Sequence, residues 1–294
     1  MKRRNLVLNT VKGIGAITLA SCSKQTSTII TDKNYTSQKE KLKGNLKHSV
    51  CKWCYNMPLE ELAEAAQEIG MTSIELLNPP EWEIVKKYGL ECAISNGADL
   101  GIPNGFVDTN NHEEMLRQYT SLIPAAADFG VKQIICFSGN RGGMSDEHGL
   151  ENSAVGLEPI LKLAEKHDVL IVMELLNSKV DHKDYMCDKT SWGTALVEKL
   201  GSPNFKLLYD IYHMQIMEGD IIRTINENHQ YISHYHTGGV PGRHEIDETQ
   251  ELNYPAIAEA IVATGYTSYI SQEFIPIGPN PIASLEEGVH ICDV

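Results

Sequence analysis

The chain has 294 residues, of which 42% are hydrophobic and 22% are charged, and its formal net charge is −14 at pH 7. The length fits two average domains or one α/β barrel, and the composition excludes collagen, coiled coils and mainly disordered chains. A negative chain offers no basic surface for phosphate backbones, so we expect no nucleic-acid partner. Small polar molecules and metal cations suit this charge better.

The first 21 residues have the pattern of a secretory signal. Lys2-Arg3-Arg4 precedes an apolar run from Leu6 to Ala20, which is too short and too interrupted to span a bilayer that needs ~20 apolar residues. The run ends in Leu19-Ala20-Ser21-Cys22, which resembles the lipobox of bacterial lipoproteins and implies acylation of Cys22. We therefore predict a signal peptide over residues 1–21; the alternative is an ordinary N-terminal helix with a chance cysteine.

Residues 22–45 are mostly Ser, Thr, Lys, Asn and Gln, which predicts a flexible polar tether. The predicted location is thus an exported lipoprotein that faces the periplasm or the cell surface and touches the membrane through its lipid anchor alone. Arg3-Arg4 leaves the Sec and twin-arginine export routes both open. Removal of residues 1–21 takes away four cationic side chains and no acid, which changes the formal charge from −14 to −18.

From Leu46 onward, short apolar and β-branched runs alternate with helical patterns, as in βαβ units of a parallel sheet. The predicted strands are His48–Cys51, Thr72–Leu76, Leu90–Ser95, Val131–Phe137, Val169–Glu174, Phe205–Asp210, Tyr231–His236 and Tyr269–Glu273. The predicted helices are Pro58–Ala66, Glu81–Tyr88, His112–Phe129, Leu150–Lys166, Thr190–Leu200, Gly219–Asn228, Tyr254–Thr264 and Ser284–His290. Eight such units in about 250 residues predict an α/β fold, a (β/α)8 TIM barrel over residues 46–294. A doubly wound sheet is the alternative, but no GxGxxG follows the first strand.

Four residues with metal-binding side chains lie at the ends of the last four predicted strands: Glu174, Asp210, His236 and Glu273. We expect them to converge, because the active sites of TIM barrels lie at the carboxyl ends of the strands. Three carboxylates and one imidazole suit a divalent cation, Mn²⁺ or Mg²⁺ before Co²⁺ or Zn²⁺. Taken singly, each residue could instead be a helix cap or a solvated side chain. His234, on the same strand face, is predicted to be a hydrogen-bonded barrel residue.

Several segments resemble the hydroxypyruvate isomerases of the xylose isomerase-like TIM barrel superfamily: Met173–Asn177, Gly201–Asp220, Pro241–Glu245 and Asn253–Pro255. The resemblance implies an isomerase that interconverts aldose and ketose through an enediolate. It also implies that barrels of this kind associate as homo-oligomers. The metal-dependent abasic-site endonucleases of the same superfamily would need a basic groove, which the charge of the chain disfavours.

The same resemblance implies roles for particular residues. Glu174 and Glu273 correspond to the paired acid and base that also bind the metal, and Asp210 to a further ligand. His213 and Arg243 correspond to the substrate-binding pair. The simpler interpretations are a loop position for His213 and, for Arg243, an ion pair with the acidic stretch that follows it.

The substrate is open at this point. His236 stands where the hydroxypyruvate isomerases tend to have glutamine and the ketose 3-epimerases have histidine, and export favours free sugars. A ketose 3-epimerase or keto-sugar lyase is therefore the first alternative, and a non-catalytic sugar-binding lipoprotein is the second. Side chains near the ends of the first four strands are candidates to line the pocket, although turn chemistry explains the asparagines equally well. They are Trp53, Asn78, Asn96 and Asn140.

Overall fold

Seven parallel strands form the sheet of the computed structural model, which describes residues 41–294. The strands are β1 (Lys47–Cys51), β2 (Ser73–Glu75), β3 (Gln133–Cys136), β4 (Leu170–Leu175), β5 (Phe205–Asp210), β6 (Ile232–Thr237) and β7 (Tyr269–Gln272). Their order in the sheet is β2-β1-β7-β6-β5-β4-β3, and every neighbouring pair is parallel. The predicted signal peptide and Cys22 lie outside the described residues.

The edges of the sheet, β2 and β3, are joined by the segment predicted as the third strand. The prediction of a regular strand over Leu90–Ser95 is wrong, because this segment makes isolated bridges only. Ser95 bridges to the segment after β2 and to Ile134 of β3. The ladder is interrupted where the N–H of Ala93 donates to the side-chain oxygen of Ser73, at 2.9 Å. The fold is TIM-barrel-like, with an irregular segment between its edge strands.

Nine helices among the described residues follow the strands around the outside. They are α1 (Leu59–Ile69), α2 (Pro79–Lys86), α3 (His112–Phe129), α4 (Asp146–His167), α5 (Thr190–Leu200), α6 (Ile211–Met217), α7 (Ile221–Asn228), α8 (Tyr254–Ala263) and α9 (Pro281–Cys292). None of these helices is long and apolar enough to cross a membrane. The sequence predicted every helix except α6, which begins directly after β5 with no intervening turn.

A small apolar layer fills the interior of the sheet beneath the candidate site. It consists of Ile94, Ile135, Val172 and Leu208, all buried and in mutual contact. Because side chains alternate between the two faces of a strand, the residue two positions further along points to the same side. Val172 is thus followed by Glu174 and Leu208 by Asp210. The apolar layer seals the base on which the polar residues lie.

The first described residues contact the last ones. The backbone N–H of Lys43 donates to the carboxylate of Asp293, at 2.9 and 3.0 Å from its two oxygens, and the side-chain amide of Asn45 donates to the carbonyl of Val294 at 2.7 Å. The end of the predicted tether therefore packs beside the amino end of β1. The six cysteines among the described residues are buried and unpaired.

Candidate active site

The structure brings together the four side chains predicted to bind a metal. One ligand atom each from Glu174, Asp210, His236 and Glu273 lies within 4.8 Å of the others, and all four residues are buried. His236 is central, because its Nδ1 lies 3.3 Å from Glu174 Oε1 and 2.7 Å from Glu273 Oε2. We call these four residues the carboxylate cluster.

The donor atoms of the carboxylate cluster fit a divalent cation. Glu174 Oε1 and His236 Nδ1 are buried and make no hydrogen bond. Buried polar atoms without partners are costly, and three carboxylates in contact repel one another unless a proton or cation intervenes. Carboxylate oxygens with one imidazole are a donor set for a hard or borderline divalent ion.

Glu75 of β2 lies behind His236 and was missed by the sequence analysis. Its Oε1 lies 2.8 Å from His236 Nε2 and 2.9 Å from Nε2 of His234, which is hydrogen-bonded as predicted. Burial alone raises the pKa of Glu75, but its contacts with the two histidines lower it to about 2. A carboxylate at Nε2 holds the proton of His236 there and leaves the Nδ1 lone pair facing the carboxylate cluster. The available signal was an acid in an otherwise apolar predicted strand.

The carboxylates of the cluster have opposed protonation tendencies. Burial, with the nearby charge of Glu273, raises the pKa of Glu174. Burial also raises the pKa of Asp210 well above its usual value, although Arg243 opposes it. At Glu273 the effect of burial is outweighed by the charges of Arg243 and His236, which hold its pKa well below the usual range. Carboxyl groups whose pKa values are driven apart are the arrangement that acid and base chemistry requires.

Arg243 pairs with the carboxylate cluster and not with the acidic stretch that follows it. Its Nη2 lies 2.5 Å from Glu273 Oε2 and 3.1 Å from Asp210 Oδ2. The guanidinium lies against two aromatic rings, 5.1 Å from the centre of Trp53 and 5.3 Å from that of Tyr212. Two ion pairs and two cation–π contacts hold this side chain at the edge of the cavity.

His213 contacts the cluster from behind. It is fully buried in α6, which Asp210 caps by accepting the His213 N–H at 3.0 Å. Its Nε2 lies 3.6 Å from Asp210 Oδ2, and its Nδ1 lies 2.6 Å from the side-chain amide of Asn177. Burial, assisted by Arg243, holds its pKa well below the ordinary value. His182, whose ring lies 5.3 Å from that of His213, lines the cavity instead and was also missed.

A cavity of about 430 Å³ opens beside the cluster. Its walls are Trp53, Leu76, Asn96, Ile102, Phe137, Glu174, Leu176, His182, Arg243 and Glu273. Trp53 is half-exposed and donates from Nε1 to Glu273 Oε1 at 2.8 Å. Trp53 and Asn96 were predicted to line a pocket and do so. This mixture of apolar walls and a few converging polar groups is typical of small-molecule sites.

The model of the xylose isomerase-like TIM barrel family matches residues 58–291. The chain belongs to this family. It is 27% identical to the hydroxypyruvate isomerase of Escherichia coli, over 72% of this chain and 86% of the relative. It is 25% identical to the 2-oxo-tetronate isomerase of Pectobacterium atrosepticum, over 76% of this chain and 88% of the relative. The predicted enzyme class, an isomerase, is confirmed.

Solved structures show the same fold at lower identity. A protein from Brucella melitensis described as AP endonuclease, family 2, has a TM-score of 0.73 and 23% identity, and covers 82% of this chain and 96% of its own. The 3-keto-D-glucoside 4-epimerase YcjR of E. coli has a TM-score of 0.70 and 18% identity, over 83% and 98%. The IolI protein, solved with a zinc atom, has a TM-score of 0.67 and 16% identity, over 84% and 95%.

Proposed function

We propose that this chain is a metal-dependent isomerase of the aldose–ketose type that acts through an enediolate on a small hydroxy-carbonyl compound, as a hydroxypyruvate isomerase does. The observation that supports this most is the pair of buried carboxylates, Glu174 and Glu273, on either side of His236 at the cavity wall. Binding alone does not require two such carboxylates at one point.

The proposed reaction moves one proton between adjacent carbons. One carboxylate removes the proton from the hydroxyl-bearing carbon, and the electrons of that C–H bond form the double bond of the enediolate while the carbonyl oxygen becomes negative. The other carboxyl group, Glu174 or Glu273, returns a proton to the neighbouring carbon. The guanidinium of Arg243, already at the cavity edge, stabilises the negative oxygen.

We propose that Glu174, Asp210, His236 and Glu273 hold the divalent ion, with Mn²⁺ or Mg²⁺ preferred for an oxygen-rich donor set. When bound, such an ion polarises the carbonyl and stabilises charge on the enediolate oxygens. Chelation by EDTA should lower the melting temperature of the full chain, and Mn²⁺ should restore it. Saturation at 100 times Kd corresponds to about 2.7 kcal/mol of stabilisation. An unchanged melting curve would contradict the metal site.

The decisive test is deuterium exchange by the full chain, measured by NMR in D₂O with Mn²⁺. We expect solvent deuterium to enter hydroxypyruvate, or a sugar, at the carbon beside its carbonyl. Glu273→Gln should slow this exchange by at least about 100-fold, because general acid–base groups contribute about that much. Glu248→Gln, the same change at an exposed acid, should leave the rate unaltered. Wild-type exchange rates in the Glu273→Gln variant would rule out the mechanism.

The second candidate function is a ketose 3-epimerase or keto-sugar lyase. It is favoured by the histidine in the carboxylate cluster and by a cavity of about 430 Å³, which is roomy for a three-carbon acid. An epimerase uses the same enediolate but returns the proton to the opposite face of the same carbon. NMR analysis of the products separates these outcomes. Sugar binding without any exchange would instead support the non-catalytic binding lipoprotein.

We also propose that residues 1–21 direct export and that Cys22 carries a lipid anchor. The support is the basic start, the apolar run and the lipobox-like ending of this segment. Expressed in a bacterial host with labelled palmitate, the full chain should enter the membrane fraction with label, whereas Cys22→Ser should not. Ser23→Ala serves as the control. Light scattering of the purified chain would test the proposed homo-oligomer.

A further inference from the structure

A second cavity adjoins the one beside the carboxylate cluster. It has a volume of about 400 Å³ and shares Asn96, Ile102 and Phe137 with the first. We call it the adjoining cavity; its own lining includes Asn78 and Asp99. Because three side chains form walls of both cavities, a molecule bound beside the cluster can extend past Phe137 into the adjoining cavity. Either space alone is within the range of about 300–1,000 Å³ that holds a small organic ligand.

The two cavities offer no free cation to a charged substrate. Among the described residues that line them, Arg243 alone has a permanent positive charge, and it is paired with Glu273 and Asp210. Burial and the charge of Arg243 lower the pKa of His182, which favours its neutral form. In the proposed reaction the hydroxyl and carbonyl oxygens lie at the cluster, so a substrate carboxylate would need a separate cationic partner. Asp99 in the adjoining cavity would repel it.

The wall between the cavities does offer uncharged hydrogen-bonding groups. The side-chain N–H₂ of Asn96 donates to the Leu76 carbonyl at 2.9 Å and to Asn78 Oδ1 at 3.3 Å. Within residues 41–294 the Asn96 carbonyl oxygen and the Asn78 N–H₂ have no recorded partner. One acceptor and one donor, side by side, match the hydroxyl groups of a sugar. The ring of Phe137 adds an apolar surface for the C–H face of a sugar ring.

We infer that the substrate of the proposed isomerase or epimerase is an uncharged keto-glycoside, with its keto-sugar unit at the carboxylate cluster and a second polyhydroxylated unit in the adjoining cavity. The inference rests on the proposed function for the reacting half of the molecule. It assigns the adjoining cavity, with Asn78, Asn96 and Asp99, to the unit that does not react. Hydroxypyruvate would leave this cavity empty and its own carboxylate without a cationic side chain.

The test compares substrates that differ in the second unit. Deuterium exchange by the full chain with Mn²⁺ is measured on 3-keto-cellobiose, methyl 3-keto-glucoside and hydroxypyruvate. We expect kcat/KM to be at least about tenfold higher for 3-keto-cellobiose than for methyl 3-keto-glucoside, as hydrogen-bonding subsites provide. Exchange on hydroxypyruvate alone would overturn the inference and leave the proposed isomerase intact.

Variants in the adjoining cavity locate the second unit. Ala98 lines this cavity and not the one beside the cluster, so Ala98→Trp should fill it. This change should remove the roughly tenfold advantage of 3-keto-cellobiose and alter kcat/KM for methyl 3-keto-glucoside by less than about twofold. Val155→Trp adds the same bulk at an exposed site and is the control. An undiminished advantage in a folded Ala98→Trp variant would overturn the inference.

Two further measurements cover the remaining outcomes. If Ala98→Trp does not fold, Asp99→Leu at the exposed rim of the same cavity replaces it and should reduce the advantage of 3-keto-cellobiose. If no compound exchanges, the proposed catalysis fails, and calorimetric binding of 3-keto-cellobiose decides the inference by itself. Binding that Ala98→Trp abolishes supports the second unit, and absence of binding overturns it.

Discussion

Glu75 is the residue whose role is least visible from its position in the chain. It accepts from two buried histidines and makes no contact with the cavity, so its influence on the carboxylate cluster passes through His236. Carboxylates that orient a ligating histidine in this way fix its tautomer and raise its basicity. The buried pair on β6 thus has one shared partner on β2.

Substitution of Glu75 should therefore weaken metal binding more than it alters the cavity. In Glu75→Gln we expect the affinity for Mn²⁺, measured by calorimetry or by the EPR signal of the free ion, to fall about 10- to 100-fold. Glu64→Gln, on the exposed side of α1, is the matched control. An unchanged affinity in a folded Glu75→Gln protein would show that His236 needs no such support. Partial recovery in Glu75→Asp would indicate that the charge itself matters.

Among the elements, the segment between β2 and β3 depends on one hydroxyl. Ser73 is fully buried, accepts from the Ala93 N–H at 2.9 Å and from the Ser49 hydroxyl at 3.0 Å. Ser73→Ala leaves these donors without their acceptor where the two edges of the sheet meet. We expect a loss of about 1–3 kcal/mol in the free energy of unfolding, measured with urea. Ser121→Ala, at an exposed position of α3, should change it by less than about 0.5 kcal/mol. Equal effects of the two substitutions would show that Ser73 has no special part in closure.

The sequence predicted the elements well where periodicity and turns were separate, and poorly where one residue had two tasks. Asp210 ends β5 and caps α6 at once, so no loop residues marked the start of that helix. Glu174, Asp210, His236 and Glu273 were predictable because each follows an apolar strand. Glu75 was not, since its partners lie about 160 positions further along the chain.

For the molecule as a whole, the buried His48 on β1 makes stability depend on pH. Burial lowers its pKa from 6.5 to about 4, although Asp293, 3.8 Å away, opposes this and His290 assists it. As the pH falls from 6.5 to 4, the unfolded chain binds the proton first, so the free energy of unfolding decreases. The decrease from this residue is about 3 kcal/mol at about 1.4 kcal/mol per pKa unit.

His48→Leu should remove that part of the pH dependence. Between pH 7 and pH 4, the free energy of unfolding of the variant should fall by about 3 kcal/mol less than that of the wild type, as measured by urea unfolding. His229→Leu, at an exposed position, controls for the loss of any histidine. Parallel curves for His48→Leu and the wild type would mean that His48 is protonated equally in both states.

The hydrogen bonds of Lys43 and Asn45 to Asp293 and Val294 join both ends of the described domain at one pole. This pole is the amino end of β1, whereas the cavity opens at the carboxyl ends of the strands. A support, a fused partner or a lipid attached through either end therefore lies on the far side of the barrel from the mouth. Immobilised by either end, the domain presents its opening to the solution and leaves the path of an incoming molecule clear.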